Sequence, residues 1–411
     1  MLFRRTETRV PLVFVLYIDV IARREFALPD EAISNLTRGL LRAEDKSALA
    51  MTYLKGEKMS TLYLTQPGAQ LHKDHDRLLV KRGDEILEAV PMIKIDQVVL
   101  MGRGVSVSTS ALHALTRNNV DIVYLTGGGG FVSRVTGAEH KNGRLRHQQS
   151  LVASDPLFSL QAAQNIVRGK ITNQRAVIQR HAEQADWAGR ALAGMDEMLR
   201  RVGTSQDADQ LRGMEGQAAK EYFGLMRHML RPPSEGGSWN FDRRAYYPPP
   251  DPVNALLSFV YSLILRDMTT ACELIGLDPY LGFFHVIDYG RPSMALDLME
   301  EFRPIVADSI VLEAVNRPLV SFADFEQVDL SEKESERDEN EAPRTGVQAV
   351  YLAGSGREKI IAMYENRVND DSMFHYKDQQ VSYRYIFKMQ AQAMARLILG
   401  EVSEYVPFTV R

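Results

Sequence analysis

Three stretches of the 411-residue chain carry acids or an imidazole in patterns that could do chemistry. In LRGMEGQAAKEYF, residues 211–223, Glu215 stands among Gly213, Gly216, Ala218 and Ala219. Glycine inside a helix costs about 1 kcal/mol relative to alanine. Two glycines beside an acid therefore predict that something comes close to that backbone. Glu215 is either a solvated surface acid or a carboxylate held ready for a metal. In GFFHVIDYGRPSMALDLMEEFRPIVADSI, residues 282–310, a helix is expected from Ser293. Asp297, Glu300, Glu301 and Asp308 then share one side at i, i+3, i+4 and i+11. His285 lies just before this helix, and a chain doubling back through residues 288–292 could place the imidazole beside the carboxylates. Like charges on neighbouring turns destabilise a helix by a few tenths of a kcal/mol per pair unless a cation neutralises them. A solvated acidic face with an incidental histidine and a metal site both fit this segment. Carboxylates with one imidazole suit Mg²⁺ or Mn²⁺ better than a structural zinc.

The third stretch, WNFDRRAYYPPPDPVNALLSF, residues 239–259, sets Arg243 and Arg244 beside Tyr246 and Tyr247. Cations with stacking rings suit a nucleic-acid backbone and unpaired ends. A structural plug over the following helix is the alternative. Two further motifs are weaker. The tetraglycine Gly127–Gly130 lacks the Gly-Lys-Ser/Thr ending of a phosphate loop and reads as a turn. In HKDHD, residues 72–76, strand alternation would send His72 and His75 to opposite faces.

The elements that must position these groups fall into two kinds. From Met59 to about Val135, LYLT, AQLHKDHDRLLVKR, DEILEAVP, QVVLMG and VDIVYL read as strands split by Gly, Pro and Asp turns. STSALHALTR, residues 108–117, predicts a short helix capped by Ser108. After about Gln148 helical periodicity takes over, most clearly in DPVNALLSFVYSLILRDMTTACELIG. There Asp251 is the expected N-cap, Pro252 the first helical residue and Gly276 the stop. Val253, Leu256, Leu257, Val260, Ile264 and Met268 form its expected buried stripe. SEGGSW and YYPPPDP read as loops, and the charged stretch 331–344 as a solvated excursion. The expectation is an α+β chain: a small β-rich N-terminal domain, 59–148, followed by a larger, mostly α-helical catalytic domain, 149–411.

Composition narrows the partners. With 45% hydrophobic and 25% charged residues the chain reads as soluble and globular. A net charge of −4 is no whole-chain nucleic-acid signature, so any DNA contact must come from segregated basic patches. The single cysteine, Cys272, excludes an internal disulfide framework and a cysteine-ligated zinc, and fits a reducing cytoplasm. MLFRRTETRVPLVFVLYIDVIA has the outline of a signal peptide. Asp19 interrupts its apolar run, no small-x-small cleavage site follows, and it is too short for a membrane span. Residues 1–58 are expected to be an appendage or an upstream start, and no membrane association is expected.

Taken together, residues 212–223, 247–259, 282–285 and 293–304 resemble, in order and spacing, the CRISPR-associated endonuclease and integrase of spacer acquisition. The similarity runs from Met59 through the helix YRYIFKMQAQAMARLILG to Tyr405-Val406-Pro407. Residues 1–58 have no counterpart in it, and 331–344 is longer than the pattern needs. The resemblance implies a small β domain before a larger helical one. It implies that Glu215, His285 and Glu300 bind a divalent metal, with Asp297 a nearby acid. It further implies phosphodiester chemistry on DNA, duplex or with single-stranded ends. A 3′-hydroxyl would be the nucleophile in integration, and water in plain cleavage. A homodimer paired through the β domains and bridged by a small second adaptation protein, in a heterohexamer-type complex, is implied as well. A DNA-binding scaffold without catalysis and a helical metal hydrolase of small phosphoesters are the competing readings. A closed apolar pocket would mark the latter.

Overall fold

The computed structural model describes residues 61–95, 97–118, 120–126, 131–135, 137, 142–182, 186–329, 348–370, 374–376 and 379–410. Residues 1–58, the tetraglycine and the stretch 331–344 lie outside them. Eight strands come first: β1 (Thr61–Leu64), β2 (Gln70–Asp74), β3 (Arg77–Arg82), β4 (Glu85–Pro91), β5 (Gln97–Met101), β6 (Ser106–Val107), β7 (Asp121–Leu125) and β8 (Phe131–Val135). A short helix, α1 (Thr109–Arg117), joins β6 to β7. One sheet has the order β1-β5-β7-β8, its first three strands parallel and β8 antiparallel. The other has the order β4-β3-β2-β6.

Every residue of β5, QVVLM, is buried, as a strand covered on both faces requires. Alternation then divides the first sheet. Leu62, Leu64, Val98, Leu100 and Ile122 face a small core shared with Leu71, Leu78 and Val90 and with Ala111 and Leu115 of α1. Tyr63, Val99, Met101, Val123 and Leu125 face the helices. Ser108 caps α1 as expected, its hydroxyl accepting from Ala111 N at 3.4 Å. The run AQLHKDHDRLLVKR is not one strand: it breaks between β2 and β3, and His75 takes φ +50° in the hairpin turn. The opposite-face argument for His75 therefore fails. Its ring pairs with Asp74 in that turn, at 2.8 Å.

The helical part begins with α2 (Gly143–Ala153), α3 (Pro156–Ala182), α4 (Asp186–Val202) and α5 (Ala208–Met229); α3 packs against both α4 and α5. The central helix, α6 (Pro252–Ile275), obeys the sequence signals at both ends. Asp251 accepts from Asn254 N at 2.9 Å, Pro252 is its first residue, and Gly276 closes it at φ +92°. All six residues of the expected stripe are fully buried. Although α6 is long and apolar enough to cross a bilayer, it lies in the middle of this core.

Then come α7 (Ser293–Met299), a π-helical turn (Arg303–Asp308) and α8 (Ser309–Asn316). The helix expected from Ser293 is thus interrupted. Pro304 has no N–H to give the carbonyl four residues back, and its ring crowds that turn. The chain rewinds at a wider pitch, with the Ser309 hydroxyl donating to Pro304 O at 3.1 Å. Such turns recur at functional sites. After β9 (Phe325–Asp329) and β10 (Gln348–Leu352) follow α9 (Gly354–Asn369), the hairpin β11 (Phe374–Tyr376) and β12 (Gln379–Val381), and α10 (Tyr383–Ile398).

A buried ionic cluster ties β1 to the helices. Tyr63 Oη donates to Glu365 Oε1 and receives Arg266 Nη1, each at 2.6 Å. Arg384 reaches Glu365 at 2.8 Å and Asp267 at 3.0 Å.

Candidate metal centre and its cleft

Glu215 lies on α5, whose N-cap Asp207 accepts from Gln210 N at 2.8 Å. A Cβ at Gly213 or Gly216 would meet no other atom within 4 Å, so no described part of the chain packs against that backbone. What the two glycines leave is an open helix face. The acids of the second segment are the reverse of a solvated face: Asp297, Glu300, Glu301 and Asp308 are all buried, at 2% exposure or less. Each has a distinct partner set.

Asp297 is committed to the segment before its own helix. Its Oδ2 accepts from Phe283 N (2.6 Å) and Phe284 N (3.0 Å), and its Oδ1 from His285 N (2.9 Å). The same Oδ1 lies 2.7 Å from His285 Nδ1. Gly282 makes this packing possible, since a Cβ there would stand 2.7 Å from Asp297 Oδ2 and 2.6 Å from the Ser293 carbonyl carbon. With Nδ1 donating to the carboxylate, the other ring nitrogen, Nε2, is left with a lone pair. That nitrogen faces Glu300 Oε1 at 3.5 Å. Asp297 thus orients the imidazole from behind.

Glu300 is the centre of the site. Arg303 Nη1 touches Oε1 at 3.1 Å, and Lys170 Nζ touches Oε2 at 2.6 Å. Burial alone would raise this carboxyl, but Arg303, Lys170 and His285 outweigh it and bring it down to about 2. The same ammonium contacts Glu215 Oε1 at 2.5 Å. Burial opposes the charge on Lys170, yet Glu300 and Glu215 hold its pKa above the usual lysine value. Glu215 and Glu300 are therefore bridged by the Lys170 ammonium, and His285 faces Glu300; the three come from separate segments. Among the described residues they do not surround one common point, because Lys170 fills the place between the carboxylates.

The donor set fits a hard divalent cation: two carboxylates that already share a positive charge, with an imidazole nitrogen turned toward one of them. Beside it opens a cleft of about 180 Å³ lined by Lys170, Glu215, Arg244, Tyr246, Tyr261 and Arg303, among others. Arg303 lies over the Tyr261 ring at 5.0 Å, and Arg244 over Tyr261 at 5.3 Å and Tyr246 at 5.5 Å. Asp308 accepts from Tyr261 Oη at 2.8 Å, and burial pushes its carboxyl up to about 6 against the hydrogen bonds that lower it.

Of the four basic and aromatic residues singled out in the sequence, Arg244 and Tyr246 line the cleft and Arg243 and Tyr247 do not. The structural alternative for this segment also holds. Arg244 donates to Asn254 Oδ1 and Ser258 Oγ, each at 3.0 Å, and Asn254 donates to Arg243 O at 2.9 Å, which clamps the segment to the first turns of α6. Cys272 is fully buried inside α6, which raises its thiol far above the range of a nucleophile.

Glu301, next to Glu300, faces the other way. It accepts from Tyr405 Oη (2.7 Å), Gln390 Nε2 (3.1 Å) and Phe408 N (2.6 Å). Burial pushes it up to about 8. Asn173 of α3 donates to Glu301 O at 2.7 Å and Phe408 O at 2.9 Å, and Gly169 leaves room for Pro407, which a Cβ would meet at 2.5 Å. Residues 405–410 thus form a strap behind the site.

Lys170, Arg303 and Tyr261 escaped the sequence reading. A signal for Lys170 exists. Ala163, Ile166, Val167, Ile171, Val177 and Ile178 mark the buried stripe of α3, and Lys170, Asn173 and Gln174 interrupt it at positions its period reserves for apolar side chains.

The model of the family described as CRISPR associated protein Cas1 matches residues 62–366. The chain is 34% identical over 360 residues to CRISPR-associated endonuclease Cas1 2 of Rhodospirillum rubrum, covering 85% of this chain and 98% of that protein. It is 35% identical over 363 residues to CRISPR-associated endonuclease Cas1 1 of Moorella thermoacetica, covering 86% and 99%. Its fold is similar to that of a Cas1 protein from Thermotoga maritima, with a TM-score of 0.67, 21% identity, and 85% and 100% coverage. A casposase bound to its integration product is also similar, with a TM-score of 0.69, 20% identity, and 85% and 94% coverage. Sequence and fold agree, and the chain belongs to the CRISPR-associated Cas1 family.

Proposed function

We propose that this chain is a metal-dependent DNA endonuclease and integrase of CRISPR adaptation, joining 3′-hydroxyl ends of captured DNA to the repeat array by phosphodiester transesterification. The observation that carries this reading is the bridging of Glu215 and Glu300 by Lys170, with His285 beside Glu300, at the edge of a cleft that holds Arg244, Arg303, Tyr246 and Tyr261. The relatives named as Cas1 endonucleases support it, since the chain spans nearly their whole length.

Glu215, Glu300 and His285 are the residues that would hold the cation, with Mg²⁺ or Mn²⁺ the ions their chemistry favours. When bound, the cation supplies Lewis-acid polarisation of the scissile phosphate and neutralises charge growing on the leaving oxygen. The chain's own groups do the rest. Asp297 fixes the imidazole so that Nε2 presents its lone pair. Arg303 and Arg244, held over Tyr261, offer guanidinium groups to phosphate oxygens in the cleft. Tyr246, 73% exposed, offers a ring to an unpaired base. No enzyme nucleophile is required, because the attacking oxygen belongs to DNA or water. Arg244, Arg303, Tyr246 and Tyr261, which share the cleft wall with Ala219, Phe223 and Pro304, favour DNA over a small phosphoester.

The proposed assembly is a homodimer with Cas2. Similarity to the Cas6-RT-Cas1–Cas2 complex, at a TM-score of 0.70 and 19% identity, is a likeness of fold that accommodates it. The test combines purified protein, Cas2, a short duplex and a supercoiled array plasmid. Joined product is expected with Mg²⁺ or Mn²⁺ and none with chelator. Glu215→Ala and His285→Ala are expected to abolish joining while remaining folded. Joining at the parental rate by either variant refutes the metal-site assignment.

A further inference from the structure

Lys170 belongs to none of the roles assigned above, yet it makes the two shortest ionic contacts of the site. Its Nζ lies 2.5 Å from Glu215 Oε1 and 2.6 Å from Glu300 Oε2, and its side chain is 9% exposed. A divalent cation of the Mg²⁺ type requires carboxylate oxygens at about 2.1 Å. An ammonium and such an ion cannot both stand between the same two oxygens.

We propose that Lys170 is an exchangeable internal cation: its ammonium occupies the place between Glu215 and Glu300 in the metal-free protein and is displaced into the adjoining cleft when the divalent ion binds. This rests on the reading of Glu215, His285 and Glu300 as the metal-binding set. Three observations carry it. One ammonium bridges two carboxylates, so Lys170 holds α5 and the segment after α7 in register without a metal. The backbone on either side cannot follow the ammonium outward, because Gly169 is pressed against Pro407 and Asn173 is bonded to Glu301 O and Phe408 O. Only the side chain is free to move, by rotation of its four-carbon stem. The destination is the cleft, whose wall already includes Lys170 together with Arg244 and Arg303.

The exchange has a consequence for substrate. A displaced ammonium beside two guanidinium groups makes the cleft more cationic when the metal is loaded, which favours phosphate oxygens there. Metal and DNA backbone would then each bind more tightly in the presence of the other.

Two measurements test this. In the parent protein, acetic anhydride labelling of Lys170 is read by mass spectrometry in chelator and in saturating Mg²⁺. Labelling is expected to rise at least several-fold with Mg²⁺, because the amine leaves its carboxylate clamp; unchanged labelling overturns the proposal. A charge that merely repelled the metal from a fixed position would not move this readout. In parallel, Mn²⁺ affinity is measured by electron paramagnetic resonance for the parent, Lys170→Met and Glu215→Gln. Lys170→Met is expected to bind Mn²⁺ at least tenfold more tightly and Glu215→Gln at least tenfold more weakly. Parental affinity in Lys170→Met sinks the exchange while leaving the metal site intact. Parental affinity in Glu215→Gln sinks the metal site itself, and the exchange with it. If Lys170→Met does not fold, the labelling of the parent decides.

Discussion

Asp297→Asn changes one oxygen to an amide nitrogen at constant size. The carboxylate accepts from three backbone N–H groups and faces His285 Nδ1, all within 2.6–3.0 Å. An asparagine has a single acceptor oxygen. If that oxygen stays with the Phe283 and Phe284 amides, the NH₂ faces His285 N–H and Nδ1. It can donate to Nδ1 only if the ring proton moves to Nε2. The imidazole then turns an N–H, not a lone pair, toward Glu300. Losing a charge-assisted hydrogen bond costs about 1.5–3 kcal/mol, and leaving the His285 N–H unpaired costs about 1–3 kcal/mol. The folded state should therefore weaken by about 2.5–6 kcal/mol. Metal affinity and DNA joining should fall about 10–100-fold, as when the partner behind a ligating histidine is removed. Urea unfolding, Mn²⁺ titration and the joining assay measure these separately, and ¹⁵N chemical shifts of His285 report the tautomer. A variant that joins DNA at the parental rate with Nε2 still unprotonated refutes the positioning role.

Gly282→Ala places a methyl group 2.6–2.8 Å from Ser293 and Asp297, and should cost about 1–3 kcal/mol by thermal unfolding while slowing joining. Asp308 keeps its proton in the folded chain up to about pH 6, whereas the unfolded chain loses it near pH 4. Its contribution therefore favours folding at low pH and is lost as the pH rises through that window. Relative to the parent, Asp308→Asn should gain up to about 3 kcal/mol between pH 4 and pH 6 in denaturant titrations; an unchanged gap would count against the buried acid. Tyr63→Phe removes the hydroxyl bridging Arg266 and Glu365, and should lower stability by about 1–3 kcal/mol in urea unfolding without abolishing Mn²⁺ binding.

What the sequence made legible was local. Asp251, Pro252 and Gly276 mark the ends of α6 because caps and stops act within a few residues, and the stripe of α6 follows from its period alone. Ser108 announced α1 in the same way. The site acids were visible as residue types, but their environment was not. Four acids read as one side of a helix look solvated, whereas α3, α6, α10 and residues 405–408 close over them from far along the chain and Glu301 turns away from Glu300. The role of Asp297 was hidden for a related reason. Its partners are backbone amides 12–14 residues back, which no residue type advertises. No described part of the chain meets the glycines beside Glu215, so packing within the chain does not account for them.

The strap of residues 405–410 has a consequence for biosynthesis. Glu301 finds Tyr405 and Phe408 only after more than a hundred further residues have been made. Until then Glu301, on the turn that also carries Glu300, lacks the partners that the strap supplies. During translation the backing of the proposed metal centre is therefore completed late, once residue 408 has been made. A nascent chain whose earlier helices are already folded would still lack that support.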